Sequence, residues 1–138
     1  MELKDCRFLV VDDHLLLRQT VDRMLNDFGV TSIDTAVDGI VALDKIKAAA
    51  ASSTPYHIVL LDWSMPNLSG YEVLTTCRGD ASLNGMAIVM LTAESEDINI
   101  IKALDAGATA YVTKPFTPEM LLAKLEDVIL WFKNRKAS

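Results

Sequence analysis

The stretch HIVLLDWSMPNLSG, His57 to Gly70, begins with an apolar run and then places a carboxylate, Asp62, before a loop containing proline and glycine. A near-continuous apolar run of this length is typical of a strand buried on both faces of a parallel sheet. An acid at the end of such a strand needs partners from elsewhere in the chain, unless it is an ordinary turn residue. The stretch therefore predicts a parallel sheet and raises the question of what surrounds Asp62.

Similar apolar segments recur along the chain and alternate with segments of helical periodicity. The predicted strands are Arg7–Val11, Ser32–Val37, Tyr56–Leu61, Ala87–Leu91 and Ala110–Thr113. The predicted helices are Leu15–Phe28, Gly39–Ala51, Gly70–Arg78, one capped by Ser95, and one opened by Thr117-Pro118-Glu119. This alternation predicts an α/β fold, a doubly wound parallel sheet of five strands with five helices on its two faces.

The first predicted helix shows the helical spacing in detail. Its predicted buried side consists of Leu16, Val21, Met24, Leu25 and Phe28. Gly29 follows as a left-handed helix stop, and Gly107 is expected just past the end of the fourth helix.

Length and composition limit the class of protein. A chain of 138 residues predicts a single domain, 1–138, without a separate output domain. The formal net charge of -6 argues against nucleic-acid binding, and no apolar segment approaches the roughly 20 residues that a membrane span needs. Cys6 and Cys77 lie far apart without a pairing motif, which predicts reduced thiols and a cytoplasmic protein. A monomer is the default expectation.

Polar residues follow four of the predicted strands. Asp12 and Asp13 come after the first, Asp62 after the third, Thr92 after the fourth and Lys114 after the fifth. Any one of these acids alone is more often a helix cap or turn former, but their joint placement is not expected by chance. Because ligands of open parallel sheets bind outside the carboxyl ends of the strands, these side chains predict a site at one edge.

Neighbouring carboxylates repel one another unless a cation joins them. Mg²⁺ prefers oxygen ligands and usually takes one or two carboxylates, so Mg²⁺ is the predicted cofactor. Zinc is disfavoured, because His14 and His57 have no ligand-like spacing to the acids. Lys114 and Thr92 are then the donors expected to hold an anionic group brought to the metal.

Five segments carry a resemblance to a known family: VVDDH, LLDWSMPNLSGYEVL, IVMLTAE, AGATAYVTKPF and TPEMLLAKL. From about Arg7 to about Trp131 the chain resembles the receiver domains of bacterial response regulators, especially the stand-alone chemotaxis regulators. The resemblance implies a flavodoxin-like sheet with strand order 2-1-3-4-5. It also implies a protein that is not an enzyme acting on a separate substrate, but one that catalyses its own phosphorylation and dephosphorylation.

The resemblance assigns roles at the metal site. Asp62 would accept a phosphoryl group from a phosphohistidine of a sensor histidine kinase. Asp13 would bind Mg²⁺ directly and Asp12 mainly through water. Asp62 and the backbone carbonyl of Ser64 would complete the metal ligands from the protein.

The resemblance also implies a switch. Thr92 and Lys114 would bond to the phosphoryl oxygens, and the Lys114-Pro115 peptide would be cis. Movement of Thr92 would make room for Tyr111 to turn, which changes the surface of the last helices and strand. Glu94 matches the chemotaxis pattern, whereas Ser64 stands where the chemotaxis relatives usually have Asn, which bears on the rate of phosphoryl loss.

Alternatives remain open at this point. A Mg²⁺-dependent phosphatase or mutase would need an acid at the position of Ser64, and a phosphorylation-independent binding module would be expected to lack acids or the lysine. The implied target is a flagellar motor switch protein, with an auxiliary phosphatase as a further partner. The alternatives are a phosphorelay or cell-cycle regulator, or a phosphate sink.

Overall fold

The computed structural model describes residues 1–137 and shows one parallel sheet with helices on both faces. The strands are β1 Arg7–Val11, β2 Ser32–Ala36, β3 Ile58–Leu61, β4 Ala87–Thr92 and β5 Ala110–Thr113. The helices are α1 Leu15–Asp27, α2 Gly39–Ala51, α3 Gly70–Arg78, α4 Asp97–Asp105 and α5 Pro118–Ala137. Single helical turns occur at Leu3–Asp5 and Ala81–Leu83. Within 1–137, no helix is long and apolar enough to cross a membrane.

The strand order is β2-β1-β3-β4-β5, as the resemblance implied. The chain therefore winds outward in one direction from β1 and in the other from β3, and the order reverses between these two strands. Val11 and Leu61 are paired in register, so the residues after them, Asp12 and Asp62, leave the sheet side by side. The topology alone thus brings two of the predicted acids together.

The two faces of the sheet have separate cores. Strand residues such as Phe8 and Val10 point into a layer shared with α1 and α5, which we call the α1/α5 core. Their neighbours Leu9 and Val11 point into a layer shared with α2, α3 and α4, which we call the α2/α3/α4 core. The alternation follows from the two-residue period of a strand, and burial on both faces explains why the strands are apolar throughout.

The predicted elements agree with the structure apart from their ends. β1, β5, α2 and α3 have the predicted bounds. The differences are that β2 ends at Ala36, β3 begins at Ile58, β4 extends to Thr92 and α1 ends at Asp27. Tyr56 is buried but precedes β3, and its hydroxyl donates a hydrogen bond of 2.6 Å to Asp34 Oδ2.

The prediction that Leu16 faces the core is wrong, since its exposed fraction is 76%. Leu25, which is fully buried, lies nine positions later, or about two and a half turns at about 3.6 residues per turn. Leu16 therefore points away from the face that Leu25 buries. Val21 is buried as predicted.

The prediction that Ser95 caps the fourth helix is also wrong. Glu96 is the N-cap residue of α4, and its side chain makes no capping hydrogen bond. Instead, Glu94 Oε1 accepts hydrogen bonds from the Glu96 N–H and from Asn99 Nδ2, each at 3.1 Å. A carboxylate two residues upstream thus organises the start of α4.

The other predicted helix signals are confirmed. Gly29 and Gly107 have φ angles of 93° and 108°, the left-handed conformation that ends a helix. The Thr117 hydroxyl accepts a hydrogen bond of 3.1 Å from the Met120 N–H at the start of α5. Ser69 and Glu72 form a reciprocal capping box at the start of α3, which fixes the helix that follows the Asp62 loop.

Candidate functional site

The backbone around Asp62 is held from both sides. The Asp62 N–H donates to the carbonyl of Val11 at 3.0 Å, which continues the pairing of β1 and β3. The Gly70 N–H donates to the carbonyl of Trp63 at 2.8 Å, so the loop returns close to its own start. These contacts position the Asp62 carboxylate, whose residue is only 5% exposed, at the edge of the sheet.

Four potential metal ligands meet beside this carboxylate. Oxygen atoms of Asp12, Asp13 and Asp62 and a ring nitrogen of His14 all lie within 4.8 Å of one another. The prediction that His14 has no ligand-like spacing to the acids is therefore wrong, because His14 Nδ1 is 3.0 Å from Asp12 Oδ1 and 3.2 Å from Asp13 Oδ1. His57 lies elsewhere, at the start of β3, where its Nδ1 accepts a 2.8 Å hydrogen bond from the Arg7 N–H.

Lys114 supplies the positive charge of the site. Its Nζ lies 2.8 Å from Asp12 Oδ2 and 3.7 Å from Asp62 Oδ2. Lys114 follows β5 directly, at the edge of the sheet where both acids emerge, and the Lys114-Pro115 peptide is cis as expected. The lysine thus bridges the ends of β1 and β3.

The two buried acids have opposite pKa shifts. Burial raises the pKa of Asp62, together with the negative charge of Asp12, while the neighbouring Thr92 hydroxyl and Lys114 oppose this effect without cancelling it. Burial would also raise the pKa of Asp12, but hydrogen bonds from Lys114 and His14 outweigh it, so that this pKa lies below its ordinary value. The positive charge of Lys114 therefore mainly stabilises the ionised form of Asp12, and the negative charge of Asp62 is less well compensated.

The donor atoms suit the predicted Mg²⁺. The carboxylates of Asp12, Asp13 and Asp62 are hard oxygen ligands. Asp12 and Asp62 are buried, so bulk water screens their negative charges poorly. These residues would hold the ion, whose chemistry is to neutralise charge on a phosphoryl group. Ser64 is exposed on the loop that follows Asp62, and its predicted carbonyl contact with the metal stays a prediction.

Thr92 and Tyr111 are linked through the segment after β4. Thr92 is the last residue of β4 and is buried, and its hydroxyl accepts a hydrogen bond of 3.2 Å from the Glu94 N–H. The Tyr111 hydroxyl donates to the Glu94 carbonyl at 2.7 Å. Burial, together with the charges of Glu94 and Asp62, raises the pKa of Tyr111 to about 12. Thr92 and Tyr111, the two residues predicted to form the switch, therefore both make hydrogen bonds to the backbone of Glu94.

An aromatic contact connects the Asp62 loop to α4. The Trp63 and Tyr71 rings stack with centroids 5.3 Å apart and an interplanar angle of 19°. Lys102 Nζ of α4 lies 4.4 Å from the centroid of the Tyr71 ring. Trp63 is half-buried and packs against the α2/α3/α4 core.

The structure brings together five of the predicted site residues: Asp12, Asp13, Asp62, Thr92 and Lys114. Sequence reasoning missed His14 and also Arg18, whose Nη1 donates to the Asp12 carbonyl at 2.7 Å. The signal for Arg18 was its place one turn after the start of α1, which lets a long side chain reach back to the strand end. Tyr71 was missed because its partner Trp63 is on a loop without periodicity.

These observations define a class of protein, a doubly wound α/β domain with an acidic site and a lysine where the strand order reverses. Residues 8–126 match the family model described as response regulator receiver domain. The chain belongs to this family and is a receiver domain of the two-component response regulators. The family implies interactions with histidine kinases and with protein targets.

Individual relatives agree with this assignment. The chain is 34% identical over 125 residues to the chemotaxis protein CheY-3 of Vibrio cholerae serotype O1, covering 91% of this chain and 92% of that protein. It is 34% identical to the chemotaxis protein CheY of Pseudomonas aeruginosa, covering 88% and 94% of the two chains. The solved structure of the chemotaxis response regulator CheY4 of Vibrio cholerae superposes with a TM-score of 0.77 at 33% identity, covering 89% and 98%.

Proposed function

We propose that this receiver domain is a phosphorylation-activated switch in the cytoplasm, in which Asp62 accepts a phosphoryl group from a phosphohistidine of a sensor kinase. The observation that carries the proposal is the arrangement around Asp62, a buried carboxylate with Lys114 Nζ at 3.7 Å and the acids Asp12 and Asp13 beside it. A buried carboxylate whose negative charge is only partly compensated can act as a nucleophile. The cations of the site then stabilise the charge of its product, an acyl phosphate.

The transfer requires positioning and charge neutralisation rather than a separate general base. An Asp62 carboxylate oxygen forms a bond to phosphorus as the phosphorus–nitrogen bond of the donor breaks. The imidazole of the donor leaves as a neutral base, because its other ring nitrogen carries a proton taken from solvent before the bond breaks. Lys114 Nζ and the Thr92 hydroxyl donate hydrogen bonds to the phosphoryl oxygens. Asp12 and Asp13 would hold the metal ion. The domain acts on itself, which distinguishes it from an enzyme with a separate substrate.

A direct test measures phosphoryl uptake by intact mass, with acetyl phosphate as a small donor in the presence and absence of Mg²⁺. The wild type is expected to gain one phosphoryl group only with Mg²⁺, and Asp62→Asn is expected to gain none. Asp44→Asn is the matched control, because Asp44 is an exposed acid of α2. Uptake by Asp62→Asn equal to that of the wild type, or no uptake by the wild type, would contradict the proposal.

The signal would leave the site through Thr92 and Tyr111. Closer approach of Thr92 to the phosphoryl oxygens would disturb the bond from the Glu94 N–H, and with it the Tyr111 hydroxyl bond to the Glu94 carbonyl. Fluorine NMR of the protein labelled with fluorotyrosine would report this change. The Tyr111 resonance is expected to shift on phosphorylation, whereas that of Tyr56, which bonds to Asp34 near the opposite end of the sheet, should stay in place.

The proposed target is a flagellar motor switch protein, supported by the similarity to proteins named as chemotaxis regulators. A phosphorelay or cell-cycle role, or that of a phosphate sink, is the alternative. The lifetime of the phosphoryl group after donor removal separates them, because chemotaxis requires rapid loss and a relay requires persistence. Comparison of the wild type with Ser64→Asn, with and without a candidate phosphatase, measures how strongly Ser64 affects the rate of phosphoryl loss.

A further inference from the structure

The position of His14 was not anticipated from the sequence. It is the N-cap residue of α1, but its side chain makes no capping bond to the helix. Instead, its ring turns back toward the acids, with Nδ1 at 3.0 Å from Asp12 Oδ1 and 3.2 Å from Asp13 Oδ1. The imidazole side chain is 71% exposed, so packing against neighbouring side chains does not account for its position beside the acids.

The separations match those of ligands on one ion. In an octahedral site with metal–ligand bonds of about 2.1–2.2 Å, adjacent ligand atoms lie about 3.0 Å apart. The Nδ1 atom has about this spacing to each of the two carboxylate oxygens, and all the potential ligand atoms lie within 4.8 Å of one another. Lys114 Nζ contacts the other oxygen of Asp12, Oδ2, so the oxygen that faces the imidazole is Oδ1, which also accepts a hydrogen bond of 2.8 Å from the His14 N–H.

We propose that His14 Nδ1 is a ligand of the metal site and gives the site a preference for first-row transition-metal ions, such as Co²⁺ or Zn²⁺, over Mg²⁺. The inference rests on the metal role in the proposed function. Imidazole nitrogen binds these ions well, whereas Mg²⁺ favours oxygen ligands and retains its waters. An imidazole nitrogen beside the acids therefore adds affinity for one class of cation and little for the other.

The test is calorimetric titration of the metal-free protein with Mg²⁺, Co²⁺ and Zn²⁺, without a phosphoryl donor. His14→Phe removes the nitrogen and retains a ring. We expect it to weaken Co²⁺ and Zn²⁺ binding by at least about tenfold and to change Mg²⁺ binding by less than about twofold. The visible absorption of the Co²⁺ complex should change in the same variant. His57→Asn is the control, because it removes the other histidine of the chain.

Several outcomes would overturn the inference. Equal affinities of wild type and His14→Phe for Co²⁺ would show that the ring is not a ligand, and tighter binding of all three ions to the variant would show that it competes with the metal. Phosphoryl uptake with Mg²⁺, measured on the wild type, tests the proposed phosphorylation of Asp62 separately from the proposed role of His14. If uptake requires Mg²⁺ and Asp62 while selectivity is unaltered by His14→Phe, only the inference about His14 fails.

Discussion

Gly70 packs directly on the backbone of Asp62, and a Cβ atom added to Gly70 would lie 1.9 Å from the Asp62 carbonyl oxygen. The nearest atoms all belong to the backbone of Asp62 and Trp63, which cannot move aside as a flexible side chain could. We expect Gly70→Ala to lower the free energy of unfolding by about 1–3 kcal/mol or more through overpacking. Urea unfolding followed by circular dichroism measures this.

The chain offers a matched control for this substitution. Gly85 precedes β4, and an added Cβ there would have no atom within 4 Å. Gly85→Ala should therefore leave the stability within about 0.5 kcal/mol of the wild type. Equal effects of the two alanines would show that the contact between Gly70 and Asp62 does not constrain the loop.

Removal of the Lys114 charge should favour metal binding in the absence of phosphoryl donor. The Nζ atom competes with a divalent ion for the same carboxylates, with 2.8 Å to Asp12 and 3.7 Å to Asp62. Lys114→Met is expected to bind Mg²⁺ several-fold more tightly in a calorimetric titration, because like charges close together repel. Lys124→Met, on the exposed side of α5, should leave the affinity unaltered. Weaker binding to Lys114→Met would contradict the competition.

The stability should depend on pH through His57. Burial and the charge of Arg7 hold the pKa of His57 below its ordinary value of 6.5, so the folded state favours the neutral ring. The unfolded chain then binds more protons, and the contribution is complete above about pH 6.5 and lost as the pH falls through the folded pKa. His57→Asn keeps an acceptor near the Arg7 N–H but cannot titrate.

The measurement compares urea unfolding of the wild type and His57→Asn between pH 7 and pH 5. The wild type should lose more stability than His57→Asn over this interval. A constant difference between the two proteins across the interval would show that the His57 pKa is not lowered by folding. The comparison isolates His57, since the carboxylates titrate in both proteins.

The stack of Trp63 on Tyr71 should be energetically coupled to Lys102. Tyr71→Leu removes the aromatic face that both neighbours use and should cost about 0.5–1.5 kcal/mol beyond its lost area. A double-mutant cycle with Lys102→Met is expected to give a coupling of about 0.5–1 kcal/mol between Tyr71 and Lys102. Strictly additive effects in urea unfolding would show that α4 is not tied to the Asp62 loop through this contact.

Much of the fold could be predicted from local pattern. The strands Arg7–Val11 and Ala110–Thr113 were predicted at both ends, because apolar runs bounded by charges or turn residues mark strands buried on two faces. The start of β3 could not be predicted, because Tyr56 is buried like a strand residue, and the partner of its hydroxyl, Asp34 of β2, is not apparent from the local sequence. That contact joins residues far apart in sequence.

The residues of the site also divide into those that the sequence predicts and those that it does not. Asp12, Asp62 and Lys114 could be placed together, because parallel strands deliver their carboxyl ends to one edge. The orientation of His14 could not be predicted, since an N-cap residue can point along the helix or back toward the strand. Ser95 was predicted as a cap from residue type alone, but α4 has Glu96 as its N-cap residue, and the Glu96 N–H is bonded by the carboxylate of Glu94.

The two cysteines lie in different cores. Cys6 belongs to the α1/α5 core and Cys77 to the α2/α3/α4 core, and neither is in a disulfide. Burial raises the pKa of each thiol to about 11, so at neutral pH a thiol reagent reacts only after the surrounding layer opens. Site-resolved labelling rates therefore report, in the unmodified chain, whether the two sides of the sheet open as one cooperative unit or as two.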